Sequence, residues 1–332
     1  MIAIVPTIRA PHFESVQHFV DNRDGWQLSL RQTWDPAALR RDTKPVLIVP
    51  GYGMNSFIFG YHPGGNSFEA ALVRAGLEVW LVDLRAQGDS RSTGGGDDYG
   101  LEDLALTDLE AAVGAALERT KTASTKVSVI GASLGATIMF AHAALSPSPR
   151  VGNLVSIGGP VRWVKIHPLL KLAFASPTLV GLIRLKGTRK LAELTLPHVL
   201  RHTPWLLSIY INPEHVDVAH VKEIVKTVED PNRSINRQIA RWINDRDLVL
   251  RGKNLSDAIG RVDVPLLCVV ANADGIVPRE TAEFCHSRVA STDKALLEVG
   301  SSDMRLAHAD MFISRHAEDV VFAPIRDWLL AR

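Results

Sequence analysis

The stretch "VSVIGASLGATIMF", Val127–Phe140, decides how the rest of the chain is read. Its first residues are rich in β-branched side chains, and its last are small and apolar, so a strand is expected to turn directly into a helix. At the junction, Gly131-Ala132-Ser133-Leu134-Gly135 has the form G-x-S-x-G. A serine raised at the tip of such a turn takes an unfavourable backbone conformation, tolerated when the residues two before and two after it are small. The competing reading is an ordinary serine in a loop. A strand before the motif and a helix after it are the setting that the nucleophile reading requires.

Outward from this junction the pattern repeats. On its N-terminal side "PVLIVPG", Pro45–Gly51, and "LEVWLVDL", Leu77–Leu84, read as buried strands, with a helix around Ser67–Ala75 between them. "LEDLALTDLEAAVGAALERT", residues 101–120, has apolar residues recurring at three and four and an acidic first turn, as a helix would. On its C-terminal side follow the helix "LGATIMFAHAAL" and the strand "VGNLVSIGG". "FVDNRDGWQLSLRQTW", residues 19–34, predicts an opening antiparallel hairpin around Asp24-Gly25. Alternating strands and helices predict an α/β fold with a mostly parallel, doubly wound sheet and a site at the carboxyl ends of its strands.

The rhythm breaks from Pro160 to Asn254, where prolines and glycines interrupt helix-like segments. This region is expected to be an inserted helical cap, residues 160–254, dividing a core of residues 1–159 and 255–332. Strand character returns at "VDVPLLCVVANAD", followed by the helix "RETAEFCHSRVA", the strand "KALLEVG" and a terminal helix over Met311–Ala331.

A chain of 332 residues, 46% hydrophobic, can bury a large core, and a formal net charge of +1 gives no global attraction to nucleic acid. Its two cysteines, Cys268 and Cys285, are too few for a disulfide framework and lack zinc-site spacing. A reducing, cytoplasmic setting is expected, with no cofactor and no metal. "MIAIVPTIRAPHF", residues 1–13, lacks the basic start and the apolar length of a signal peptide, and no run is long enough to span a membrane.

A serine hydroxyl needs a base, usually a histidine oriented by a carboxylate. In the order serine, acid, histidine, the base lies beyond the last strands, which leaves His286, His308 and His316. His286 and His316 fall in helical patterns, whereas His308 follows "KALLEVG" in the loop "SSDMRLAHADMF". Asp274, after "LLCVVANA" and before Gly275 and Pro278, is the expected acid, with an Asx-turn or helix cap as its competing role. Asp303 is held in reserve, too near His308 to fit well. Acyl transfer also needs N–H donors for an oxyanion. Leu134 supplies one candidate and Tyr52, in "GYG" after the first core strand, the other.

With these residues in place the chain resembles the α/β-hydrolase superfamily from about Phe19 onward. The similarity lies in "PVLIVPGYGMNSFIF", "LVDLRAQGDSRS", "GASLG", "NADGIVP" and "AHADMF". It departs from the family at Pro50-Gly51, where His-Gly is common. The resemblance implies an α/β-hydrolase fold and a serine esterase, lipase or thioesterase. "NRQIARW" and the segment from Asn254 to Asp274 loosely resemble bacterial polyester synthases and depolymerase-like members; synthases carry a cysteine nucleophile where this chain has Ser133, which favours hydrolysis over polymerisation. Rival functions are acyl transfer to a non-water acceptor and a non-catalytic, lipid-binding hydrolase-like protein.

In the first part of the cap, Arg162, Lys165, Lys171, Arg184, Lys186, Arg189, Lys190 and Arg201 face the single acid Glu193. Interleaved apolar residues suit a small-molecule ester or thioester with an apolar acyl group, or weak contact with an anionic membrane surface. The plainer alternative is a cap packed on the core with solvated lysines. Trp163, Phe174, Trp205, Tyr210 and Trp242 are the aromatic candidates for a substrate pocket.

Overall fold

A computed structural model of the chain describes residues 12–182 and 185–332. The reading of the N-terminal segment therefore falls, apart from its last residues, outside the described residues, as do Ile183 and Arg184 of the cap.

Strands β1 (Glu14–Asp21) and β2 (Trp26–Trp34) form the expected antiparallel hairpin, with Asp21 opposite Gln27. Then come β3 (Val46–Val49), β4 (Val79–Asp83), the two-residue β5 (Arg91–Ser92), β6 (Val127–Ala132) and β7 (Val151–Ile157). A small hairpin of β8 (Val249–Leu250) and β9 (Lys253–Asn254) precedes β10 (Leu266–Ala271) and β11 (Lys294–Val299). The main sheet has the order β1-β2-β4-β3-β6-β7-β10-β11, with β5 paired to β2. From β4 to β11 every neighbour is parallel. Parallel strands are covered on both faces, which is why β3, β4, β6, β7 and β10 are buried throughout. The chain winds from β3 to β4 in one direction and to β6 and β7 in the other. The crevice beyond β3 and β6 is thus a topological switch point, where ligands bind in such sheets.

Helices α1 (Phe68–Arg74), α2 (Leu109–Arg119) and α3 (Leu134–Leu145) pack against this sheet. Ser67 caps α1 by accepting from Ala70 N. The helix expected over residues 101–120 is interrupted by a π-turn at Leu104–Asp108. That turn brings the fully buried Asp108 against the Arg85 guanidinium at 2.7 Å, just beyond β4.

Between β7 and β10 lie α4 (Pro168–Ala173), α5 (Pro177–Leu182), α6 (Thr188–His202) and α7 (Arg233–Asp245). Helix α7 buries Ile235, Asn236, Ile239, Ala240, Trp242 and Ile243, a stripe at spacings of three and four. α8 (Ala323–Leu330) ends the fold.

Two expected helices are shorter than the sequence suggested. "RETAEFCHSRVA" forms two turns, Arg279–Ala282 and Phe284–Arg288. The terminal segment breaks after Asp310–Ile313 and resumes as a π-turn at Glu318–Phe322 before α8, so His316 sits in the connecting turn rather than in a helix. Apolar periodicity survives such breaks because Met311, Phe312, Ile313, Val321, Phe322 and Ile325 still face one core cluster. Among the described residues, no helix is long and apolar enough to cross a membrane.

Candidate active site

Ser133 stands between β6 and α3 with φ 53° and ψ −121°, a conformation that costs a non-glycine residue of order 1–3 kcal/mol. Its surroundings leave room for no other turn. A Cβ on Gly131 would lie 2.3 Å from Ala136 Cα, and one on Gly135 would lie 2.3 Å from Val49 O. Ser133 N donates to Ile157 O at 2.8 Å, which ties the turn to β7.

His308 and Asp274 come together from loops after β11 and β10, as the chain order required. His308 Nδ1 donates to Asp274 Oδ2 at 2.6 Å, and both residues are buried. The carboxylate, an acceptor, places the ring proton on Nδ1 and leaves Nε2 to accept. The other oxygen, Asp274 Oδ1, accepts from Ile276 N and Val277 N at 2.9 and 2.8 Å. Asp274 therefore closes an Asx-turn through one oxygen and bonds the His308 ring through the other. Asp303 lies exposed beside Ser302, and His286 lies in its short helix.

A strap, residues 209–212, laces these loops together, and nothing in the sequence signalled it. Ile209 O accepts from Gly275 N, and Tyr210 O from Ala309 N at 2.7 Å. The buried Asp310 carboxylate accepts from Asn212 N of the strap at 3.0 Å and from Ala307 N, next to His308 in the chain, at 2.7 Å. Burial pushes this carboxyl up to about 6; the N–H donors and His308 oppose the shift, and Asp274 adds to it.

Ser133 and His308 line one cavity of about 310 Å³, together with Tyr52 and Leu134. Leu134 is the first residue of α3, so its N–H has no intrahelical acceptor. Tyr52 N makes no hydrogen bond among the described residues. Gly51 approaches so closely that a Cβ there would sit 3.0 Å from Ser133 Cβ. The phenol of Tyr52 donates to Asn236 Oδ1 of α7 at 2.6 Å, tethering the loop after β3 to the helical region. Burial pushes that phenol's pKa upward.

Apolar side chains form almost all the rest of the wall. From the core come Met54, Ile276, Val277 and Phe312, and from the helical region Trp163, Leu170, Phe174, Leu196, Tyr210, Ile239 and Trp242. The indole N–H groups of Trp163 and Trp242 are buried without a partner among the described residues, and their rings contribute apolar surface. Trp205 departs from the expected set: it is 71% exposed and does not line the cavity. It belongs to a short helical turn starting at Pro204 that faces outward, and an aromatic residue's type says nothing of its direction. Among the described residues no group of three or more His, Cys, Asp or Glu is placed to hold a metal ion.

Residues 43–299 match the family model described as serine aminopeptidase, S33, and the chain belongs to this family of α/β-hydrolases. No curated protein matches it. Among solved structures, it is similar to a thermophilic esterase from Thermogutta terrifontis, with a TM-score of 0.62 at 18% identity over 96% of this chain and 98% of that one. An esterase from Exiguobacterium antarcticum gives 0.61 at 16% identity, over 95% of this chain and 100% of that one. A monoacylglycerol lipase from Paleococcus ferrophilus gives 0.56 at 18% identity, over 92% and 98%.

Proposed function

We propose that the protein hydrolyses a carboxylic ester or thioester of an apolar acid through an acyl-enzyme. The observation that carries this reading is that Ser133, held at φ 53°, shares an apolar cavity with His308, whose far nitrogen is bonded to Asp274. Ser133 Oγ attacks the carbonyl carbon while its proton passes to His308 Nε2. The N–H groups of Tyr52 and Leu134 hold the oxyanion. Collapse breaks the C–O or C–S bond, and the leaving group takes the proton from His308. Water then attacks the acyl-enzyme with His308 again as base, releasing the acid and restoring Ser133. Asp274 keeps the imidazole oriented throughout.

Residues 160–254 act as the cap that walls the acyl side of the site. Trp163, Phe174, Tyr210 and Trp242 offer the acyl group an apolar surface without a charged partner, which disfavours acids carrying a second charge. That similar folds occur in proteins described as esterases and a monoacylglycerol lipase is in keeping with this substrate class.

A fluorophosphonate probe should label the wild type and not Ser133→Ala, and ester hydrolysis should fall by on the order of 10⁵-fold or more. Equal labelling of the two proteins sinks the nucleophile assignment. Product formation with an added alcohol or amine, at the expense of free acid, would favour transfer over hydrolysis.

A further inference from the structure

Each of the first three helices after β7 carries a pair of leucines spaced i, i+3, and all three pairs stand in solvent. They are Leu169 and Leu172 on α4, Leu179 and Leu182 on α5, and Leu191 and Leu194 on α6. The outermost, Leu172, Leu182 and Leu194, are 75%, 71% and 79% exposed, and Trp205 follows directly after α6. Elsewhere in the described chain, large exposed apolar residues are few and scattered. Residues i and i+3 share one face of a helix, so the leucine pairs are faces rather than accidents of a loop. A water-facing surface rarely keeps so much apolar area in one segment unless something covers it.

Charge says what that something is. Arg162, Lys165 and Arg189 are matched by Asp247, Glu280 and Glu229. Lys171, Lys186, Lys190 and Arg201 are exposed and stand outside the salt bridges formed among the described residues, with Glu193 the lone acid between Pro160 and Trp205. Lys171 neighbours Leu172, and Lys190 neighbours Leu191. Apolar side chains interleaved with unmatched cations fit an interface that is anionic at its surface and apolar just beneath it. α4, with Phe174 at its C-terminal end, and α6 turn Leu170, Phe174 and Leu196 onto the cavity, so the outer face of these two helices lies over the site itself.

We infer that α4, α5 and α6 form a docking face for an anionic lipid surface, with the leucine pairs entering the acyl boundary and the lysines contacting head groups. The inference concerns binding alone and is tested without turnover. Ser133→Ala protein is mixed with vesicles of phosphatidylcholine plus phosphatidylglycerol, or of phosphatidylcholine alone, and the bound fraction is read by flotation. The protein should float with the anionic vesicles, about tenfold less with the neutral ones, and less again as salt is raised. Adding Lys171→Glu with Lys190→Glu should cut partitioning by on the order of tenfold or more, and so should Leu172→Ser with Leu194→Ser. All four side chains are exposed, so thermal unfolding should stay where it was for both variants. Absence of flotation with anionic vesicles overturns the inference, as does flotation that neither variant weakens. A dimer that the leucine variant converts to monomer, without vesicle binding, assigns the face to a second copy of this chain instead.

Discussion

Gly135 shows how tightly the turn that carries Ser133 is specified. Its missing Cβ would meet the carbonyl oxygens of Val49 at 2.3 Å and Pro50 at 2.6 Å, both backbone atoms that cannot swing aside. Gly135→Ala should therefore cost about 2–3 kcal/mol or more in chemical denaturation, in the range of severe overpacking. An alanine that is tolerated within experimental error would show that α3 can shift away from β3. Asp310 makes the opposite case, a residue whose role had no local signature. Its loop neighbours are ordinary, and besides the nearby Ala307 N its partner is Asn212, 98 residues away in sequence. Ser133, Asp274 and His308 were legible because each follows a strand or strand-ending turn that the sequence marks. Asp310 depends on a strap whose path only packing decides. Its titration gives a test with a defined sign. With the carboxyl raised from 3.8 to about 6, the folded chain keeps a proton that the unfolded chain has released between those values. Asp310 thus contributes stability that is full below about pH 4 and is lost as pH rises through about 6. Relative to Asp310→Asn, the wild type should gain on the order of 3 kcal/mol between pH 7 and pH 4. A gap that stays constant over that range means the carboxyl does not titrate there.

Among the elements, the loop after β3 and helix α7 are joined by a part-buried bond from the Tyr52 phenol to Asn236. Asn236 is 2% exposed but Tyr52 is 36% exposed, so removing the acceptor oxygen loses a part-buried bond, at about 0.5–1.5 kcal/mol. If that bond positions the backbone N–H of Tyr52, Asn236→Leu should lower kcat about tenfold with little change in KM, short of the 10²–10³-fold lost with a whole oxyanion donor. Combining it with Tyr52→Phe removes both partners and should restore most of the stability while leaving kcat low. Recovery of kcat along with stability would reduce the bond to a packing contact. The strands were readable because parallel strands buried on both faces are continuous apolar runs bounded by glycine and proline. The breaks at Leu104–Asp108 and at Ser314–Ala317 were not, because they leave the apolar spacing nearly intact and only redirect individual side chains. At the first of these the redirected residue is Asp108, which is locked to Arg85 by 2.7–3.0 Å contacts in the interior. Asp108→Ala leaves the guanidinium buried without its main partner and should cost about 3–5 kcal/mol in the unfolding midpoint analysis.

At the scale of the whole molecule, the cavity belongs to neither half of the chain. The sheet's switch point supplies Ser133 and the loop after β11 supplies His308, while the helices between β7 and β10 supply the far wall. On the proposed function, the residues that react and the residues that would set acyl length therefore lie on different segments and can be altered separately. Leu196 of α6 lines the cavity and is only partly buried, so a larger side chain there can grow into the space without displacing the core. Leu196→Trp should leave acetyl ester hydrolysis near the wild-type rate and cut kcat/KM for octanoyl esters by at least about tenfold, since each methylene accommodated in an apolar pocket carries about 1–3 kcal/mol of discrimination. Measuring both esters in one variant separates the outcomes. A parallel loss on both would mean that the introduced indole reaches Ser133, and no loss on either would mean that the acyl chain leaves the site by another wall.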